Sequence, residues 1–467
     1  MAMAMEADPI QQAAIRTLAA FIANAPCSYG AVALERSRLA ILDTVGCMIF
    51  GQSSPEARAA RSAVSAWGTG PAMVVGSDVG LPPPWAAFVN ATAAHALDYD
   101  DWDDPSLVHT SAVLLPAILA ATTGSETNGA DIIDAHIMGV EALLRIGEAV
   151  NPSHYWTGWH STATIGAIGA AAAVSRVQAL GDDETANALS IATSMAGGYV
   201  SQFGTMTKPM HAGFAAKAGV FAAALAKAGT SAQEAALDGP VSFRSTTSNV
   251  DQEAFLRAFG KLGAPWAIEE YGMHIKLYPS CGGTHRVIEA ALALKKDTRI
   301  VAGEIQDIEV NVPEFLIELL PYRVPNTRPE ALFSLPYCVA AALRWGKVGI
   351  DEFSDEAISD EVARDLSDRV RLTTRAFDYQ THLFVKGNFD IVTLTTKDGR
   401  TLSASIDIPY GAPPRFADQE TVEQKFMDCA RRGVTESQGT KIMELLRSPA
   451  ADWSPVALCN LLSPLKT

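Results

Sequence analysis

Apolar positions recur at helical spacing from about residue 9 to residue 275, in segments of about 12 to 20 residues broken by Gly, Pro and Asn signals. "DIIDAHIMGVEALLRIGEAV" sets Ile133, Ile137, Val140 and Leu144 on one stripe. "TATIGAIGAAAAVSRVQAL" and "HAGFAAKAGVFAAALAKAG" are built from Ala and Gly, which lets backbones approach closely at some cost in helix propensity and predicts helices in the middle of a domain. The period changes near "KLYPSCGGTH". There "IQDIEVNV" alternates Ile308, Val310 and Val312 with polar residues, as a half-buried strand does. "FDIVTLTTKDGRTLSASIDIPYG" holds two alternating runs joined by Asp398-Gly399, a hairpin signature. After about residue 411, "TVEQKFMDCARRG", "SQGTKIMELLRS" and "SPVALCNLL" read as helices again. The pattern predicts a mainly α protein: a large all-α domain over residues 1–275, a smaller α+β domain over 276–410, and C-terminal helices over 411–467 that return to the first. No internal repeat is present, which argues against a solenoid.

Composition narrows the partners. The 467 residues exceed one ordinary core. A formal charge of −16 argues against nucleic acid or an anionic membrane as partner and requires any acidic ligand to meet a locally positive pocket. The six cysteines include no CxxC pair, so neither a zinc site nor a disulfide framework is suggested and reduced thiols are expected. "MAMAMEADPI" has acids where a signal peptide needs bases. The longest uncharged stretch, "HYWTGWHSTATIGAIGAAAAVS", is mostly small and hydroxylic and reads as a buried helix entry, not a membrane span. A cytoplasmic, membrane-free protein is the expectation.

One stretch resists a bland reading. "HALDYDDWDDPSLVH" packs five aspartates into seven positions directly after an uncharged helical run, where the helix C-terminus already disfavours negative charge. Three readings are open. The cluster is a solvated loop of an acidic protein; or Asp100, Asp101 and Asp104 form the DDxxD spacing that holds Mg²⁺ against a diphosphate, although no second acidic motif accompanies it; or carboxylates beside histidines move a proton. Two other stretches bear on the choice. "GTMTKPMHAGFAAKAG" sets Lys208 and His211 in a Gly/Pro-rich approach to a small-residue helix, and "KLYPSCGGTHR" sets Lys276, Tyr278, Cys281, His285 and Arg286 around a turn. Permissive loops beside tightly packed helices are where binding residues are usually presented.

"HALDYDD", "GWHSTATIGAIGAAAA", "FGTMTKPMHAGFAAKAGVFAA", "KLYPSCGGTHRVIEAAL" and "FSLPYCVAAAL", in that order over nearly the whole chain, resemble the MmgE/PrpD family. The resemblance implies a large all-α domain with a smaller α+β lid, a homodimer, and no required metal or organic cofactor. It also implies a small di- or tricarboxylate substrate, in a family that includes 2-methylcitrate dehydratase, cis-aconitate decarboxylase and iminodisuccinate epimerase. Their shared act is proton transfer at carbon next to a carboxylate, which needs a base and cations that stabilise the developing charge.

By the same resemblance Asp98, His109, His160, Lys208 and Cys281 are the catalytic candidates and Tyr322 a substrate-binding one; the two loop stretches add His211, Lys276 and His285, and the aspartate stretch adds Trp102, as further substrate-binding candidates. Asp98 is expected to face the pocket first, with the other aspartates on its rim. Many members read "DDT" and close on "HPS", whereas here Trp102, Asp103 and Asp104 intervene before "VHTS", which predicts a reshaped pocket mouth. Cys281 stands where the decarboxylase branch has a histidine. The expected activity is a cofactor-independent lyase of dehydratase or decarboxylase type. An epimerase is the alternative, and a Mg²⁺-dependent diphosphate lyase and a non-catalytic relative stay open.

Overall fold

The computed structural model describes residues 13–378 and 382–463. Six helices frame the first part: α1 (Ala31–Gly51), α2 (Pro83–His95), α3 (Thr110–Ala121), α4 (Gly129–Val150), α5 (Ser161–Val177) and α6 (Thr207–Lys227). α6 packs against both α2 and α5, and α5 also lies on α4. Two glycines make the contact of α6 possible: a Cβ at Gly213 would stand 2.6 Å from the Phe88 carbonyl oxygen, and one at Gly219 would stand 2.4 Å from Ala170 Cβ. From Ser161 to Ser175 every residue of α5 is buried. α4 is also buried on nearly every face, so the single stripe read from its sequence is too narrow. Its charged residues satisfy one another and the backbone: Arg145 Nε lies 2.9 Å from Glu141, whose carboxylate accepts from the backbone N–H groups of Gly263 and Ala267.

The second part holds the sheet. α7 (His285–Thr298) precedes β1 (Ile305–Pro313), and α8 (Leu335–Trp345) precedes β2 (Val370–Arg375), β3 (Asp390–Thr396) and β4 (Thr401–Ile406). The order is β2-β1-β3-β4, with β1 parallel to β2 and antiparallel to β3. Ile308, Val310 and Val312 face the core, as their alternation requires. The β3–β4 hairpin turns at Asp398-Gly399, where Gly399 takes φ +86°. β2, "VRLTTR", was not expected: it is a strand at the edge of the sheet, with too few apolar residues to show a period. α7 covers β3 and β4, and α8 packs on α7. α9 (Gln419–Ala430) then lies along α1 in the first part. The molecule is therefore mainly α with one small mixed sheet.

The apolar cluster around the sheet takes in Trp102 and Phe203 from the helical part, so the two parts share a core where they meet. Among the described residues no helix is long and apolar enough to cross a membrane.

Candidate active site

The aspartate stretch is the loop from α2 to α3, and it folds inward. Asp98 takes φ +52°, a left-handed conformation that aspartate tolerates better than most residues, and its N–H closes on the His95 carbonyl at 3.1 Å. Two lysines converge on it. Lys208, in the first turn of α6, donates to Asp98 Oδ1; Lys276 donates to the Asp98 carbonyl at 2.7 Å and lies 3.2 Å from Oδ2. The same Lys208 ammonium donates to His95 Nε2 at 2.9 Å, which leaves His95 Nδ1–H to reach Asp100 Oδ1 at 2.9 Å. His109 Nδ1 is 3.1 Å from Asp100 Oδ2, and its Nε2 is 3.4 Å from Asp98 Oδ1. Cations and imidazoles thus offset the carboxylates that the helix end disfavours.

Of the remaining aspartates, Asp101 and Asp103 are neither solvated nor on a rim, and Asp104 is half-buried. Asp101 accepts from the Ser111 N–H at 2.8 Å, Asp103 from the Ser106 N–H at 2.6 Å and the Thr110 hydroxyl at 3.1 Å, and Asp104 from the N–H groups of Leu383 and Phe384 at 2.8 and 2.9 Å. Asp101 and Asp103 are buried struts of the loop, and only Asp104 also faces the cavity. Asp100, Asp101 and Asp104 do not converge, so the diphosphate reading loses its geometry. His95, Asp98, Asp100 and His109 do offer donor atoms within 4.8 Å of one another, yet two ammonium groups already face Asp98 there, which opposes a further cation.

A cavity of about 260 Å³ opens over this network. Asp98, His109, His160, Lys208, Lys276 and Cys281 contribute to its polar lining, and Trp102, Tyr155, Trp156, Phe203, Phe315 and Phe333 to its apolar wall. His160, which precedes α5, sets its Nδ1 2.8 Å from His211 Nδ1. His211 itself does not line the cavity and stands behind His160. Trp102 is fixed in the wall by an indole N–H bond to His274 Nδ1 at 2.8 Å, so it forms a rigid part of that surface. Two other expected binding residues are placed elsewhere. His285 begins α7, directs Nε2 to the Ser280 carbonyl at 3.3 Å and packs against Tyr278 and His274; Tyr322 donates to the Phe203 carbonyl at 3.1 Å from outside the cavity lining.

Electrostatics separate the roles. Burial pushes Asp98 up, but Lys208 and Lys276 outweigh it and hold the carboxyl well below its usual range. His95 and His109 do the same for Asp100. Burial, helped by His95, lowers His109 to about 3, and burial with His211 lowers His160 far below the usual imidazole value. Lys208 is lowered by burial against the pull of Asp98, and burial raises the Cys281 thiol to about 11. The site therefore presents an ionised carboxylate, two ammonium groups, two neutral imidazoles and a neutral thiol.

Comparison with known proteins matches residues 16–255 to the MmgE/PrpD N-terminal domain and residues 278–448 to the MmgE/PrpD C-terminal domain. The chain belongs to the MmgE/PrpD family. It is 28% identical over 433 residues to human cis-aconitate decarboxylase, covering 89% of this chain and 87% of that protein. It is 27% identical to the cis-aconitate decarboxylase of Aspergillus terreus, covering 88% of each, and 27% identical to the mouse protein, covering 84% of this chain and 81% of that one. The relatives are lyases, and the MmgE/PrpD family is enzymatic.

For this MmgE/PrpD enzyme, sequence reasoning missed His95 and all of the aromatic wall but Trp102, and offered Asp100 only as a metal ligand. His95 opens the aspartate stretch, and a histidine closing an apolar helix just before buried acids was the available signal. The aromatics left none: Tyr155, Trp156, Phe203, Phe315 and Phe333 come from separate segments that only the fold brings together. The six cysteines are all free thiols, with Cys47, Cys338 and Cys429 buried.

Proposed function

We propose that this enzyme is a cofactor-independent lyase acting on a small carboxylate through proton transfer at the carbon next to it. The observation that carries the reading is two ammonium groups sharing one carboxylate beside two neutral imidazoles in a single buried cavity. Lys208 and Lys276 take the substrate carboxylate. Asp98 holds them in place and, being well ionised, orients more than it accepts protons. His109 and His160 supply lone pairs for the proton. In a dehydration, an imidazole takes the α-proton, the electron pair moves into the carboxylate between the ammoniums, and hydroxide leaves the β-carbon with a proton to form water. In a decarboxylation, CO₂ departs, its electron pair stays on carbon and a proton from the Lys208 ammonium replaces it. The relatives named for decarboxylation of cis-aconitate favour a lyase of one of these two types. The α+β part contributes Lys276, Cys281, Phe315 and Phe333 to the cavity, which suits a lid that closes on substrate and excludes water.

Proton NMR in D₂O on EDTA-treated enzyme with 2-methylcitrate, citrate, cis-aconitate, malate and iminodisuccinate, beside Lys208→Ala and Asp98→Asn, tests the proposal. Loss of an α-proton signal or of CO₂, abolished in both variants, is the expected result; a new vinyl or methylene signal tells the lyase types apart, and exchange without new signals means an epimerase. Activity that EDTA abolishes, or that survives in Lys208→Ala, sinks the reading. We further propose the homodimer that the resemblance implies. Trp67 and Trp85 pack together and reach Phe214 through the buried Phe88, with Trp67 64% exposed. Light scattering that gives a monomer mass would reject it.

A further inference from the structure

Resting on that reading, the two imidazoles of the cavity are held differently, and the difference gives a role to a histidine that lies outside the lining. His109 has a carboxylate at each ring nitrogen, Asp100 at 3.1 Å from Nδ1 and Asp98 at 3.4 Å from Nε2. An ionised carboxylate only accepts, so neither partner offers His109 a hydrogen. His160 instead sets its Nδ1 2.8 Å from His211 Nδ1, and both rings are buried. A neutral imidazole carries one N–H and one lone pair, so either ring can donate across that contact, and a single hydrogen lies between the two Nδ1 atoms. When His160 holds it, His160 Nε2 is a lone pair available to the cavity.

The surroundings keep the pair neutral at rest and fix its position. The titratable groups around His160 are Lys208, His95 at 6.3 Å and His109 at 6.4 Å between ring centres, none of them an anion, so burial and the Lys208 ammonium oppose a positive charge there. The same burial and the same ammonium oppose one on His211. Phe203 closes on the His160 ring edge to face at 4.9 Å. The His160 N–H donates to the Gly198 carbonyl at 3.0 Å, and a Cβ at Gly198 would stand 3.2 Å from His211 Nε2, so one close backbone approach seats both rings.

We propose that His211 is a positioning residue for the proton transfer, sharing one hydrogen with His160 and taking it over when His160 removes the α-proton of the substrate. His160 Nε2 bonds to the α-proton as the C–H bond breaks. The Nδ1 proton of His160 crosses to the His211 Nδ1 lone pair, His211 carries the positive charge, and His160 is left neutral with its hydrogen on Nε2. That hydrogen goes to the departing hydroxide to make water, and the shared proton returns to His160 Nδ1. The pair ends as it began. His160 has acted as base and then as acid without a full positive charge resting on it beside Lys208.

Two variants of the full-length enzyme separate hand-off from support. His211→Phe keeps a ring and removes the partner nitrogen; His211→Asn supplies an amide oxygen that accepts from His160 but takes up no proton, and it carries the test should His211→Phe fail to fold. With the acid that the D₂O assay turns over, kcat for α-proton removal should fall about a hundredfold in His211→Phe and about tenfold in His211→Asn, with KM within about threefold of the parent in both. A downfield imidazole N–H signal in the proton NMR spectrum, present in the parent and in His211→Asn and absent from His211→Phe and His160→Phe, reports the shared hydrogen without turnover. A kcat within about threefold of the parent in His211→Phe, or fully restored in His211→Asn, overturns the proposal, as does a signal that persists in His211→Phe. Loss of CO₂ with no α-proton exchange in the parent keeps the lyase and overturns the hand-off. A parent enzyme that turns over none of the acids rejects the reading of the reaction and the hand-off with it.

Discussion

Lys208 is the residue on which charge, position and proton supply meet. It donates to both Asp98 and His95, and burial lowers its pKa from the ordinary lysine value. If the protonated amine is the working form, kcat/KM falls as the amine loses its proton, so the alkaline limb lies below the usual lysine range of about 10.4. A Lys208→Arg enzyme stays charged and should lose that limb while losing rate to the altered geometry; an unmoved limb means that another group titrates. Cys281 makes the opposite case. With its thiol raised to about 11, it is neutral at pH 8 and neither a nucleophile nor a strong acid. Cys281→Ala should retain kcat/KM to within about tenfold, a margin near 1.4 kcal/mol, and a hundredfold loss in steady-state assays would show a direct role. At this scale the sequence was partly legible. Asp98, His109, His160, Lys208, Lys276 and Cys281 were all named in advance and all line one cavity, because short ordered motifs carry them. His211 and His285 were named by proximity to those motifs and Tyr322 by resemblance, and their side chains, whose direction sequence spacing does not encode, stand off the cavity lining.

The loop between α2 and α3 owes its inward course to an element from the far end of the chain. Lys425 on α9 donates to the Tyr99 carbonyl at 2.7 Å, sits 4.0 Å over the Tyr99 ring and pairs with Asp43 of α1 at 2.6 Å. Tyr99 lies between Asp98 and Asp100, so this buried pair props the loop from behind. Removing one partner leaves an uncompensated buried charge. Lys425→Met should therefore cost about 3–5 kcal/mol of stability, read from denaturant midpoints. Asp43→Leu combined with Lys425→Met should recover most of that loss, since the unpaired charge is gone, but not the activity, since the Tyr99 carbonyl stays unheld. Recovery of both would make the pair a packing feature alone. Elements were legible where a period repeats: the Ala/Gly helices, β1 and the Asp398-Gly399 hairpin. β2 has six residues and no apolar alternation, and the breadth of burial around α4 depends on neighbours on every side.

At the scale of the whole molecule, burial sets how the fold responds to pH, and burial is what a sequence conceals most completely. Burial lowers His109, His136 and His285 to about 3 and His154 and His211 to about 4. Unfolded histidine binds a proton near pH 6.5, so between about pH 6.5 and 4 the unfolded chain holds more protons, and stability is lost as pH falls. Burial acts the other way on acids, raising Asp101 to about 8 and Asp103 to about 7. Their unfolded forms ionise near pH 3.9, so the folded chain holds more protons from there to pH 7–8, and stability is lost as pH rises through that window. Between pH 4 and 6.5 the five imidazoles outnumber the three carboxyls, since burial also raises Asp43 to about 6, and above pH 6.5 only Asp101 and Asp103 remain. The stability curve should therefore peak near pH 6.5, fall steeply on the acid side and gently toward pH 8. His136 offers the cleanest check because burial alone shifts it, and its ring nitrogens meet the Ser37 and Ser111 hydroxyls at 2.9 Å each. His136→Gln removes one ionisation, so the acid slope should shrink by about 1.4 kcal/mol per pH unit, measured by urea unfolding from pH 4.5 to 8.5. A curve that keeps rising to pH 8.5 would mean that Asp101 and Asp103 are ionised in the folded protein, and the loop around Asp98 would then carry more negative charge than its partners offset.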